Sequence, residues 1–146
     1  MDPSKFFTQE EQVLILRAIK EAETNTSGEI RVHIESKCKE DVLDHAAYFF
    51  EKLNMHETKL RNGVLIYLAV DDRKFAILGD VGINQVTSET FWDEIKEEML
   101  ILFREQKFTE GLIIGIKMIG EALKVNFPYQ NDDVNELSDE ISFGKK

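Results

Sequence analysis

The sequence is poor in cysteine, in positive charge and in long apolar runs, and each shortage removes a class of protein. Cys38 is the single cysteine in 146 residues, so no internal disulfide can form and a reducing compartment is expected. Eighteen lysines and arginines face 28 acids, a formal net charge of −10. Such a surface repels phosphate backbones and anionic headgroups, so the expectation is no nucleic acid and no membrane among its partners. The longest apolar stretches, 64–70 and 112–116, are far too short to span a bilayer. Residues 1–8 have no apolar run after their lysine, so no signal peptide and a cytoplasmic location are expected.

Chemical signatures are equally sparse. There is no Gly-rich phosphate loop, nucleophile elbow, Cys/His zinc spacing or EF-hand. The three histidines, His33, His45 and His56, are scattered. His33 falls on the polar face of an alternating segment and reads as solvated. Cys38 reads as an ordinary thiol, because no histidine is close to it in sequence.

What remains is a globule with ample charge. Hydrophobic residues make up 42 %, with ten phenylalanines, enough to bury a core within one ordinary domain. After Pro128 the composition changes, with five acids and two lysines in the last 18 residues. The chain therefore divides into a domain at 1–128 and an acidic, mobile tail at 129–146, with a loose helical turn at 136–141. A monomer is the default.

Local patterns give the order α-β-α-β-β-α-α. Thr8 followed by Glu11 is a capping box for a helix to about residue 24. Glu29–Glu35 alternates Ile30, Val32 and Ile34 with charged residues, the mark of a half-exposed strand. Asp41 opens a helix with Leu43, Ala46, Ala47, Phe50 and Leu53 on one face. Residues 63–70 are apolar throughout, so this strand is covered on both faces and is central. Asp71-Asp72-Arg73 then leads into Lys74–Gly79, and a link this short makes an antiparallel hairpin. Residues 80–87 read as a loop. Thr87 or Ser88 caps a helix to about residue 105, and Thr109 caps another to about 125, where Gly111, Gly115 and Gly120 suit close packing. The first and second strands, joined through a helix, are expected to be parallel. The fold class is α/β, a three-layer α/β/α sandwich on a small mixed sheet.

Carboxylates carry the chemical interest. Six strand residues separate Asp72 from Asp80, roughly 20 Å at about 3.3 Å each, so one ion cannot bind both. At the lower end, the start of the first strand brings Glu29 beside Asn62 and Asp80, with Asp93 in the following helix able to close over them. These are hard oxygen donors suited to Ca²⁺ or Mg²⁺. Lys59 and Arg61 enter the same end and can offset charge or hold a phosphate. At the upper end, Asp71 and Asp72 are a second candidate pair, equally explained as turn residues. Glu29, Asp80 and Asp93 have plain turn and helix-start readings too. Phe91 and Trp92 read as core anchors.

Thr26-Ser27-Gly28-Glu29-Ile30, the run from Arg61 to Lys74, Asp80-Val81-Gly82-Ile83, Phe103-Arg104-Glu105 and Phe108-Thr109-Glu110-Gly111-Leu112 together resemble the TPM domain family. The likeness covers about residues 8 to 125. It implies an α/β/α sandwich, an association with divalent cations and, through a thylakoid member described as an acid phosphatase, phosphomonoester hydrolysis. The usual Gly-Tyr-Gly-Leu-Glu of the family is here Asp80-Val81-Gly82-Ile83-Asn84, and the usual Leu-Thr-Asp is Val86-Thr87-Ser88. Asp93 is placed to replace the missing acid from one helical turn on. Three readings follow: a cation-binding module that meets a protein partner through its surface or tail, a metal-dependent phosphatase, and a helper subunit with neither activity.

Overall fold

A computed structural model describes residues 2–129 and 140–144. A 3-10 turn at Pro3–Lys5 leads into α1 (Gln9–Glu23), β1 (Glu29–Glu35), α2 (Val42–Lys52), β2 (Gly63–Ala69) and β3 (Lys74–Gly79). Then come a one-turn helix α3 (Val81–Asn84), α4 (Phe91–Arg104), α5 (Phe108–Asn126) and a two-residue strand β4 (Ser142–Phe143). The sheet order is β3-β2-β1-β4. β1 runs parallel to β2 from Glu29↔Gly63 to Glu35↔Ala69, and β2 and β3 form the antiparallel hairpin, Val64↔Gly79 to Ala69↔Lys74.

Every residue of β2 is buried, because its alternate side chains enter two different cores. Val64, Ile66 and Leu68 join Ile30, Val32 and Ile34 under α1, α4 and α5. Leu65, Tyr67 and Ala69 face α2. Each fully buried Leu or Ile stabilises the fold by about 1.5–3 kcal/mol relative to exposure. The helix glycines serve close contact as expected: Gly111 lies against Phe103, Gly115 against Met99 and Gly120 against Ala22.

The capping box forms as read. Thr8 Oγ1 accepts from Glu11 N at 3.1 Å, and Glu11 Oε1 accepts from Thr8 N at 2.9 Å. Glu11 Oε2 also accepts from the Thr109 hydroxyl at 2.7 Å. These bonds, led by the one from Thr8 N–H, hold the Glu11 carboxyl below its usual pKa. Thr109 therefore ties α5 to α1 and does not cap; α5 begins at Phe108 after Lys107.

Several local expectations are corrected. Residues 80–87 are not wholly a loop, because Asp80 caps α3 by accepting from Val81 N. α4 starts at Phe91, later than Thr87 or Ser88, since Thr87 Oγ1 donates instead to Ile83 O at 3.0 Å. On α2, Leu43 is exposed and Phe49 packs inward beside Ala46 and Phe50. Part of the stretch read as a mobile tail, 140–144, lies on the sheet: β4 pairs with His33 and Ile34 of β1, and Gly144 N donates to Ile34 O at 2.8 Å. Residues 130–139 and 145–146 of that stretch, with most of the helical turn read at 136–141, lie outside the described residues.

Candidate functional site

The lower end of the sheet is assembled by backbone bonds. Asp80 N donates to Gly63 O at 3.0 Å, and Glu29 N to Asn62 O at 3.4 Å. The turn before β1 is pinned by Thr26, whose hydroxyl bonds Leu123 O and Phe127 O at the end of α5 and accepts from Gly28 N. Besides Thr26 and Thr58, whose hydroxyl accepts from Asn62 N at 3.1 Å, the side chains of Glu29, Asn62 and Asp80 are buried here, at 3 %, 1 % and 6 % exposure. The backbone bonds place the three residues at one end of the sheet.

Their electrostatics are uneven. Asp80 is held bidentately by Arg61, Nε to Oδ2 at 2.7 Å and Nη2 to Oδ1 at 2.9 Å, while Oδ1 also accepts from Val81 N at 2.8 Å. The Asp80 carboxylate in turn raises the pKa of the guanidinium. Arg61 is half-exposed and its backbone is left-handed, φ 53°, an uncommon state for a long side chain. Asn62 Nδ2, assigned toward Ser27, donates to its Oγ at 3.3 Å. Asn62 Oδ1 is buried and has no hydrogen-bond partner among the described residues, which costs about 1–3 kcal/mol unless a ligand or water meets it. An open cleft of about 360 Å³ between α2 and β3 has His56, Arg61 and Asp80 on its walls.

Asp93 does not join this group through any bond. It is exposed in the first turn of α4, where the helix dipole favours an acid. Beside it, Trp92 Nε1 donates to Asn84 Oδ1 at 2.9 Å and the ring covers Gly79, so Trp92 anchors α4 to the hairpin.

Asp71 and Asp72 sit at the opposite end, in the hairpin turn. Both are exposed. Asp72 Oδ2 accepts from Cys38 N at 2.7 Å, Asp71 N donates to Ser36 O at 2.8 Å, and Lys74 Nζ reaches Cys38 O at 3.0 Å. Their visible work is to tie the loop after β1 to the hairpin. Among the described residues no group of three or more His, Cys, Asp or Glu side chains is placed to hold a metal ion.

His33 overturns its sequence reading. It is 1 % exposed, because α2 and β4 cover the face of β1 that alternation marks as polar. Its ring stacks on Phe49 with centroids 4.0 Å apart, Nδ1 bonds Ser142 Oγ at 2.9 Å and Nε2 bonds Glu35 Oε2 at 3.1 Å. Burial, opposed by Glu35 and aided by His45 and Arg31, holds the His33 pKa below 6.5. No local signal marks this residue, since its partner Ser142 lies 109 positions away.

A pH dependence follows with a fixed sign. The unfolded chain takes up a proton on His33 near pH 6.5 while the folded chain resists it. Its contribution is fully present above about 6.5 and is lost as pH falls toward the depressed folded value, by up to about 1.4 kcal/mol per pH unit. Urea unfolding of wild type and His33→Gln at pH 7.5 and pH 5 checks this. Wild type should lose more stability than the variant on acidification; equal losses would contradict the assignment.

Comparison with known proteins places this geometry. A family model described as the TPM domain matches residues 1–122. The BA42 protein of the psychrophilic bacterium Bizionia argentinensis has an NMR structure 48 % identical to this chain, with a TM-score of 0.90 over 96 % of this chain and 97 % of that one. Two more distant solution structures share the fold. One is an N-terminal domain from P. gingivalis, at 17 % identity and TM-score 0.71, covering 86 % of this chain and 82 % of that one. The other is the N-terminal domain of the cg2496 protein of Corynebacterium glutamicum, at 13 % and 0.65, covering 81 % and 74 %. No curated protein matches the chain. Among the described residues, no helix is long and apolar enough to cross a membrane.

Proposed function

The chain belongs to the TPM domain family, and from that premise we propose that it is a binding module that takes up a hard divalent cation, Ca²⁺ or Mg²⁺, at the Glu29–Asn62–Asp80 end of its sheet. The observation that carries this is Asn62 Oδ1, an oxygen donor buried without a partner among the described residues, at the same end of the sheet as the buried Glu29 and Asp80. Oxygen-only donors suit these ions and disfavour zinc or copper. Arg61 fills the role of counter-charge to Asp80. Its exposure and left-handed backbone suit a residue that lets go of Asp80 when a cation arrives. Bound there, the ion would neutralise the carboxylates and stiffen the loop that precedes β2.

Hydrolysis of phosphomonoesters at the same end asks more of the residues. Arg61 would have to clamp phosphate, and its fork is already taken by Asp80. No residue at this end reads as a covalent nucleophile from the sequence. The binding reading is therefore preferred to the enzymatic one, with a protein partner as the natural recipient of the signal.

Titration of labelled protein with CaCl₂ and with MgCl₂, followed by backbone amide shifts, tests the reading. Shifts should be confined to residues 27–29, 61–63 and 80–84. Arg61→Gln should bind severalfold more tightly, because a competing cation is removed, and Asp80→Asn at least about tenfold more weakly. An unmoved spectrum at millimolar metal, or shifts only at residues 71–73, would overturn the assignment.

A further inference from the structure

A second cavity lies at the other end of the sheet, where β2 finishes. It measures about 210 Å³ and has an apolar floor of Leu68, Phe75, Leu100, Phe103 and Phe108. The rings form a continuous wall: Phe75 meets Phe103 edge-on at 5.0 Å, and Phe103 stacks with Phe108 at 5.6 Å. The mouth is lined by Arg73 and Arg104, with Gln106 between the two helices. Both guanidinium groups are exposed, and neither makes a hydrogen bond or ion pair with any described residue.

Arg73 and Arg104 are distinguished by their place, over an aromatic floor. Arg73 and Gln106, on facing turns, both have left-handed backbones, φ 53° and 65°. Such a state is disfavoured for long side chains and persists where the surroundings hold it. The C-terminal carbonyls of α4, which would repel an anion, are already engaged. Leu102 O accepts from Glu105 N and Lys107 N, and Phe103 O from Gln106 N. Lys107 is itself paired with Glu105 at 3.4 Å, leaving Arg73 and Arg104 as the cations that face the mouth.

We propose that this pocket binds a small amphipathic monoanion: a carboxylate carried on one aromatic ring or a short branched chain. The apolar part rests on Phe75, Phe103 and Phe108, and the carboxylate lies between Arg73 and Arg104. A guanidinium fork matches a carboxylate in bidentate fashion, and a ring over Phe103 gains further through aromatic contact. The volume admits a ring and a short linker; nucleotides and long acyl chains need the larger cavities usual for such ligands. Charge favours the monoanion over a phosphate dianion: the exposed Asp71 and Asp72 immediately before Arg73 cancel much of the arginines' field, so a dianion gains little extra attraction while its desolvation costs more. None of this depends on a cation at the lower end.

The test is a titration of labelled full-length protein with 3-phenylpropionate, beside parallel titrations with the neutral 3-phenylpropanol and with phenyl phosphate. The carboxylate should move amides of residues 68, 73–75 and 100–108 and leave 27–29 and 61–63 still. The alcohol should bind about tenfold more weakly, and the phosphate more weakly than the carboxylate. The double variant Arg73→Asn, Arg104→Gln, in which asparagine tolerates the left-handed backbone, should lose about tenfold in affinity with the rest of its spectrum unchanged. If the double variant fails to fold, Arg104→Gln alone decides by the same criterion, since this position is exposed. Absence of shifts at millimolar ligand, shifts elsewhere, equal binding of the alcohol, tighter binding of the phosphate, or unchanged affinity in the variant would each overturn the proposal.

Discussion

Gly82→Ala should destabilise the protein by about 3 kcal/mol, at the upper end of the range for overpacking, and should weaken the lower site with it. A Cβ at Gly82 would stand 2.1 Å from Leu60 O and 2.5 Å from Arg61 O. Both are backbone atoms, so no rotamer change relieves the overlap, and α3 must move away from residues 60–62. That movement breaks the 2.8 Å bond from Gly82 N to Arg61 O. It also draws Asp80, the cap of α3, away from the Arg61 fork. Urea unfolding gives the stability, and the Arg61 side-chain resonances report the ion pair. A loss under about 1 kcal/mol with the pair intact would mean that the loop yields more easily than its backbone contacts indicate.

Tyr67→Ala should cost about 3–5 kcal/mol, as large aromatic truncations in a core do. Tyr67 is fully buried at the centre of β2. Its ring lies 5.7 Å from His33 and 6.0 Å from Phe49 in stacked arrangements. Its hydroxyl bonds His45 Nδ1 at 2.7 Å. Burial pushes the Tyr67 pKa far up, so the hydroxyl stays protonated over the whole working range. Tyr67→Phe separates the contributions: it keeps the ring, strips the bond to His45, and should cost about 1–2 kcal/mol. Paired thermal and urea unfolding of the two variants checks both magnitudes. Equal losses would place the effect in the hydroxyl and contradict the stacking account.

The contrast between Tyr67 and His33 shows what was legible beforehand. β2 has no polar face, and that pattern by itself implied cover on both sides, which the two cores beneath and above it bear out. β1 alternates, and alternation normally means one wet face. His33 is dry all the same, because Phe49 and Ser142 arrive from elements whose positions its neighbours do not encode. The strand β4 is missed for the same reason. Two residues in an acidic stretch carry no periodicity, and only the free edge of β1 makes them a strand. The early end of the α4 capping signal fails because the Thr87 hydroxyl finds Ile83 O, a competition between local bonds that the sequence leaves open.

The candidate sites divide in the same way. Strand direction and hairpin length, both local properties, placed Glu29, Asn62 and Asp80 at one end and Asp71 and Asp72 at the other. The orientation of those side chains was decided elsewhere. Asp80 turns to Arg61 and to the start of α3, and Asn62 is left with an oxygen that no described residue meets. Arg73 and Arg104, 31 positions apart in the sequence, become the two sides of one pocket mouth only when α4 packs on the hairpin. Periodicity, caps and turn lengths are written within a few residues of chain, so the sequence by itself determined the α/β class, the parallel and antiparallel pairings and the split of the acids. Burial of His33, the β4 strap, the Arg61–Asp80 fork and the arginine-lined cavity depend on side chains meeting across long separations, and only the tertiary packing decided them.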